Sequence, residues 1–367
     1  MWIYLLLLVP LITLVIIKHY FPHRIVWWEV FIPIIATVIS IFISKYIIDQ
    51  VSKSEEYLGY LVNKVEYYES WNEYIHQTCT RTVSCGKNCT TTETYDCSYV
   101  ENHPEKFYIY FSNKSKGISK KEYLDIKRRF GNSSFVDMRR NYHTKDGDMY
   151  FSVWDNSKEN SYPITIVGRY TNKVKLSDQS IFNISEVSNE DKEKFGLYDY
   201  PNINKLIQYP ILGGGTEKQQ FDLMYLNGLI GEEKQVRIFI LLFEGKDLKA
   251  GEYQSWYWTN GNKNELNICI GTDNGKITWL HPFSWTPNIK LLIDIKNDIH
   301  NMDTLHLDKI ILYLGEKVKQ DFVRREFEEF DYLTIEPKPL HIFLSFIFIV
   351  IINILTSMYV IKNQYKR

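Results

Sequence analysis

Residues 79–97 read CTRTVSCGKNCTTTETYDC, and four of the chain's five cysteines fall in this one stretch. The surrounding segment, 78–99, is rich in Thr, Val and Tyr, which suit strands. Gly86-Lys87-Asn88 supplies turn chemistry. Folded about that turn as an antiparallel hairpin, opposed residues share a nearly constant index sum. Cys85 and Cys89 add to 174, and Cys79 and Cys97 to 176. Both pairs therefore fit one register with a single-residue bulge. The spacing predicts nested disulfides, Cys79–Cys97 and Cys85–Cys89. A four-cysteine zinc site is the competing reading, but zinc knuckles favour two pairs with two to four intervening residues, and only Cys85/Cys89 has that interval. Four free thiols are the third reading. Cys269 stands alone in an apolar stretch and reads as a buried free thiol.

Disulfides persist in oxidising compartments, and the ends of the chain offer a route to one. Three apolar runs flank a polar middle: Met1–Ile17, Ile25–Ser44 and Leu340–Ile361. A membrane-crossing helix needs roughly 17–25 apolar residues. The first run lacks a basic leader and a small-residue cleavage site, so it reads as a retained helix rather than a signal peptide. Trp27 and Trp28 sit like an interfacial belt at the start of the second. Lys18 and Arg24 lie between the first two runs; Lys362, Lys366 and Arg367 follow the third. Cytoplasmic placement of these cations puts the N-terminus and residues 49–339 outside and the C-terminus inside. The lipid bilayer is thus the first partner expected. With 43 basic and 44 acidic residues in 367, no global basic excess points to nucleic acid. A mean hydropathy of -0.26 excludes a polytopic transporter.

Leu58, Leu61, Val65, Tyr68 and Ile75 follow 3–4 spacing, which predicts a long juxtamembrane helix over 49–77. A coiled-coil oligomer is the sharper form of that reading. A β-rich, Cys-containing module is expected over 78–212. Its signals are the strands Lys106–Phe111 and Ile164–Tyr170, the Asp146-Gly147 hairpin before Met149–Trp154, and one helix opened by the capping box Ser119-Lys120-Lys121-Glu122 and stopped at Gly131. Pro201, Pro210 and Gly213-Gly214-Gly215 mark a flexible connection; no Gly-Lys-Ser/Thr follows, so a phosphate loop is set aside. From 213 to 335 the rhythm alternates. A helix reaches Glu233, a strand spans Val236–Glu244, and a second helix reaches Trp258. Strands Glu265–Thr272 and Lys276–Trp285 flank a turn at Asn274-Gly275. A strand-like run, Ile289–Ile295, and helical signals at 303–314 and 317–330 complete an α/β layer. The fold class expected is an α+β membrane protein, with a transmembrane helical hairpin over 1–48 and a C-terminal transmembrane helix over 340–361.

The blocks QVRIFILLFE (235–244), YQSWYW (253–258), GNKNELNICIG (261–271), NGKITW (274–279) and DFVRREFEEFDYL (321–333) resemble the TPM domain family. That family comprises small α/β modules often fixed to membranes by a neighbouring transmembrane helix. Some members are described as phosphatases, others only as assembly factors, so the resemblance implies one or the other. This chain departs from the pattern at His281-Pro282-Phe283-Ser284-Trp285, where the family usually has a Gly-rich, acid-containing stretch. The N-terminal half resembles uncharacterised membrane proteins encoded by bacteriophages, on SCGKNC (84–89), YDCSY (95–99), HPE (103–105) and YHTKDGDMY (142–150). That resemblance implies a shared membrane architecture and no chemistry.

His143, Asp146 and Asp148 form the best local constellation, two carboxylates and an imidazole suited to a divalent cation or to acid–base work. A polar Asp-Gly turn demands the same composition. Asp294, Asp298, His300, Asp303, His306 and Asp308 form a second acidic-histidine group, though His306 cannot share a helix face with both Asp303 and Asp308. Trp256, Trp258, Trp279 and Trp285 suit either a partner surface or a core. No G-x-S-x-G, H-E-x-x-H or G-x-G-x-x-G is present, and no cofactor is expected beyond a divalent cation. The function expected is non-catalytic binding or membrane and envelope organisation, with another membrane or envelope protein as partner. The alternative is a divalent-metal-dependent phosphohydrolase carried by the TPM-like module.

Overall fold

The computed structural model describes residues 8–20, 31–51, 53–86, 89–130, 136–140, 148–153, 162–171, 173, 187–201, 206–326, 328–333 and 339–364. It divides into two compact units. The first contains three packed helices: α1 (Leu8–Tyr20), α2 (Phe31–Val51) and α9 (Pro339–Gln364). Phe31–Ile48 and Pro339–Tyr359 are long and apolar enough to cross a membrane; α1 is shorter. Their pattern is inverted relative to a soluble bundle. Large apolar side chains such as Ile35, Phe42, Phe343 and Leu355 are exposed, while Thr37, Ser40, Ser44, Ser345, Asn353 and Ser357 are buried. On α2 the buried positions are Pro33, Thr37, Ser40 and Ser44, and on α9 Ser345, Ile349, Asn353 and Ser357, so each helix turns one small-residue seam inward. Asn353 joins the two seams. Its Nδ2 donates to Thr37 Oγ1 at 2.8 Å and to the Ile349 carbonyl at 2.8 Å.

The second unit holds two modules. In the first, β1 (Lys53–Tyr68) is the centre of a six-stranded sheet with β6 (Lys106–Phe111), β7 (Lys114–Gly117), β8 (Val136–Arg140), β9 (Asp148–Val153) and β10 (Tyr162–Thr171). The order is β7-β6-β1-β9-β8, and β10 also pairs with β1. Val62, Val65, Ile109 and Phe111 pack on Ile126 of α3 (Lys120–Phe130). The capping box forms: Ser119 N donates to Glu122 Oε2 at 2.8 Å, and Glu122 N to Ser119 Oγ at 3.3 Å. On the opposite face Glu66 is almost fully buried and accepts hydrogen bonds from Lys64, Tyr68 and Tyr110. Burial alone would raise its pKa; these donors outweigh burial and hold it below the ordinary value.

The long juxtamembrane helix over 49–77 is not formed. The helix ends at Val51 and β1 begins at Lys53. The stretch is rich in Tyr and Val, and its apolar positions fit period 2 as well as 3.6. Pairing with β6 and β9, 38 to 89 residues away, decides between them, and no local pattern reports such partners.

The second module is a four-stranded sheet ordered β11 (Ile211–Leu212), β12 (Arg237–Glu244), β13 (Glu265–Asp273) and β14 (Lys276–Ser284); the first three are parallel and β14 is antiparallel. One face packs against α5 (Glu217–Lys234), α7 (Ile289–His300) and α8 (Leu307–Asp321). The other packs against α4 (Asn189–Phe195) and α6 (Leu248–Tyr257). Fully buried parallel strands account for the unbroken apolar run of β12. Two expectations change here. Ile289–Ile295 is helix, because Leu291, Ile295 and Ile299 share one buried helical face. The described parts of the connection before Gly213, 187–201 and 206–212, are packed: Phe195, Leu197 and Ile211 fill the two cores, and Gly213 and Gly215 take positive φ in the turn into α5.

The two modules interlock through backbone. A Cβ placed on Gly231 of α5 would lie 2.3 Å from the Gly59 carbonyl oxygen of β1, and one on Gly59 would lie 2.5 Å from the Asn227 carbonyl. Arg237 adds a side-chain tie, donating to Thr165 Oγ1 at 2.8 Å. Gly231→Ala should therefore lower stability by about 1–3 kcal/mol through overpacking, read as a drop in Tm of the detergent-solubilised chain. Gly117→Ala, whose Cβ would have 3.8 Å of clearance, should leave Tm within about 1 °C of wild type.

Candidate functional site

The most distinctive element leaves the β1/β6 pair and continues as a two-stranded arm. Its strands are β2 (Trp71–Ile75), β3 (Thr78–Gly86), β4 (Cys89–Asp96) and β5 (Tyr99–His103). β2 pairs with β5 and β3 with β4. Tyr68 lies opposite Lys106, Trp71 opposite His103, Ile75 opposite Tyr99 and Thr78 opposite Asp96. Each of these pairs adds to 174, so one register runs from the core sheet outward. Pairing lapses near Pro104, which has no N–H to donate. It lapses again beside Asp96, whose carboxylate takes the Ser98 N–H at 2.8 Å. From Trp71 to Gly86 the arm is about 50 Å in contour at ~3.3 Å per residue. None of its described residues is buried.

An isolated two-stranded ribbon is marginal in water. Covalent links and side-chain pairs support this one. Cys79 bonds to Cys97 and Cys85 to Cys89, with Cα separations of 5.8 and 5.1 Å. The pairing is the nested one, but its register differs in detail. Cys79 faces Tyr95, so its bond to Cys97 is diagonal, and the bulge falls at Cys85 beside the turn rather than between the two pairs. Arg81 donates to Glu93 at 3.0 Å and lies over the Tyr95 ring.

At the base of the arm Glu73, Glu101 and His103 bring their ligand atoms within 4.8 Å of one another, the one group suited to a metal ion among the described residues. Glu73 and Glu101 are direct cross-strand partners. His103 follows two residues after Glu101 on the same face, with Nε2 3.0 Å from Glu73 Oε2. Its ring stacks on Trp71, centroids 4.5 Å apart at 13°. The constellation His143, Asp146 and Asp148 lies outside what the structure describes: 143 and 146 are not among the described residues, and Asp148 is described only as the backbone start of β9. The sequence reading missed Glu73, Glu101 and His103. The index sum that aligned the cysteines would have aligned them had it been carried back past residue 78.

The second acidic-histidine group does not converge. Asp294 pairs with Lys317 at 2.8 Å, Asp298 accepts from the Tyr313 hydroxyl at 2.6 Å, and Asp308 accepts from Gln219 at 2.9 Å. Lys317 holds the Asp294 carboxyl below its usual range; Gln219 and Lys218 do the same for Asp308. Of the tryptophans offered as a partner surface, Trp258, Trp279 and Trp285 are core residues, 2%, 9% and 2% exposed. Trp258 and Trp279 fill the layer under α6 and spend their indole N–H groups on the Tyr198 and Lys246 carbonyls. Trp256 is half-buried against Tyr253. Cys269 is a buried free thiol whose pKa burial pushes well up, so it is no nucleophile. In the GNKNELN block, Glu265 accepts from Asn262 N at 3.0 Å, from Asn262 Nδ2 at 2.8 Å and from the Tyr200 hydroxyl. That arrangement serves the fold.

No family model matches the chain, and neither does any curated protein or solved structure. The TPM and bacteriophage likenesses rest on the quoted residues alone.

Because cross-links replace burial in the arm, reduction should act locally. With dithiothreitol, amide hydrogen exchange across 78–96 should rise at least about tenfold, while β12 and β13 keep their protection. Equal acceleration in both regions would show that the disulfides support the whole unit.

Proposed function

We propose that this chain is a multi-pass membrane protein that presents residues 49–339 on the extracytoplasmic side and binds another membrane or envelope macromolecule through its cross-linked arm, without catalysis. The arm is the observation that carries the reading. A ribbon with no buried residue among those described contributes little to a core, yet two disulfides hold it in shape. Its exposed edges offer backbone N–H and C=O groups for strand addition, and its Thr-rich β4 face is polar enough to remain in water alone. Disulfides favour an oxidising compartment. The inverted burial of α2 and α9, apolar outside and small polar inside, suits lipid as solvent.

The phosphohydrolase alternative needs carboxylates that meet. Asp294, Asp298 and Asp308 each engage a different partner instead, and no observation favours that reading.

A peptide epitope inserted between β3 and β4 tests topology on intact cells. Antibody should bind without permeabilisation; binding only after permeabilisation would invert the orientation. The purified full chain should show no turnover of p-nitrophenyl phosphate with Mg2+, Mn2+ or Zn2+. Chelator-sensitive turnover would overturn the non-catalytic reading.

A further inference from the structure

We propose that Glu73, Glu101 and His103 form a zinc site that cross-links the two strands at the base of the arm. Direct antiparallel pairing places the Glu73 and Glu101 carboxylates face to face. Like charges directly opposite one another destabilise a strand pair. His103 satisfies one oxygen of Glu73, and among the described residues Glu101 has no cationic partner of its own. A divalent cation between the three groups removes the repulsion and uses every member of the set.

The donor set selects the metal. Calcium and magnesium take oxygen ligands, whereas an imidazole with two carboxylates suits zinc, which in open sites keeps three protein ligands and one exchangeable position. Ligand atoms within 4.8 Å need only small rotamer changes to meet an ion at about 2.0–2.2 Å from each. Trp71, stacked on the imidazole and opposite it in register, holds the ring plane ready. The location gives the ion its consequence. The site lies on the first paired residues beyond the Pro104 lapse. The cation would cross-link β2 to β5 at the base of the arm, as the disulfides cross-link its outer half.

The test uses the full oxidised chain in detergent. Zinc content after equilibrium dialysis is measured by mass spectrometry, and affinity by calorimetric titration with Zn2+. One zinc per chain is expected, with binding at least tenfold weaker in both Glu101→Gln and His103→Gln and unchanged in His143→Ala. Excess Mg2+ or Ca2+ should not displace the zinc. Glu101 is exposed and its glutamine variant is isosteric, so intact disulfides and an unchanged circular dichroism spectrum separate lost binding from lost folding. Absence of bound zinc, binding unaltered in either the Glu101 or the His103 variant, loss in His143→Ala, or displacement by Mg2+ or Ca2+ would each overturn the proposal.

Discussion

Lys64 lies opposite Tyr110, Tyr68 opposite Lys106, Trp71 opposite His103 and Thr78 opposite Asp96. This single antiparallel register, kept through two breaks between strand pairs, is the constraint on which the arm depends. Its inner end is set by burial: Val65 and Ile109 must face α3 together. A slip of one residue would turn that whole set to the opposite face. The same slip would part Cys79 from Cys97 and Glu73 from Glu101. The core thus decides the register, and the arm inherits it without a core of its own.

The remaining architecture holds that strand pair in place. Gly59 of β1 lies on the backbone of α5, at Asn227, Gly228 and Gly231, where any side chain would intrude. Asn227 in turn bonds both backbone groups of Ile238, giving 2.7 and 3.0 Å contacts that tie α5 to β12. A chain of close contacts therefore runs from the α/β sheet through α5 to β1. In the helical unit the same economy of small residues recurs. Close approach along the small-residue seams and the Asn353–Thr37 hydrogen bond join α2 to α9.

What the sequence made legible follows from range. Elements set by local chemistry read correctly: the Ser119 capping box, the Asn274-Gly275 turn, the strands flanking it and the nested cysteines. Elements set by distant partners did not. The strand at 53–68 resembled a helix because its pairing partners lie far along the chain, and Ile289–Ile295 resembled a strand because its apolar spacing was read over too short a window. The tryptophans were ambiguous for a third reason: composition cannot tell a buried indole with a carbonyl partner from one waiting for a ligand. Glu73 and Glu101 share the index sum of 174 that aligns Cys85 with Cys89, so their pairing too is legible in the sequence.

Disulfide mapping of the full chain tests the register most directly. Thiols are blocked before digestion, and the peptides are separated without reductant and identified by mass spectrometry. The account predicts Cys79 linked to Cys97, Cys85 linked to Cys89, and Cys269 alone carrying the blocking group. Crossed pairs such as Cys79–Cys89, or four blocked thiols among residues 79–97, would contradict it.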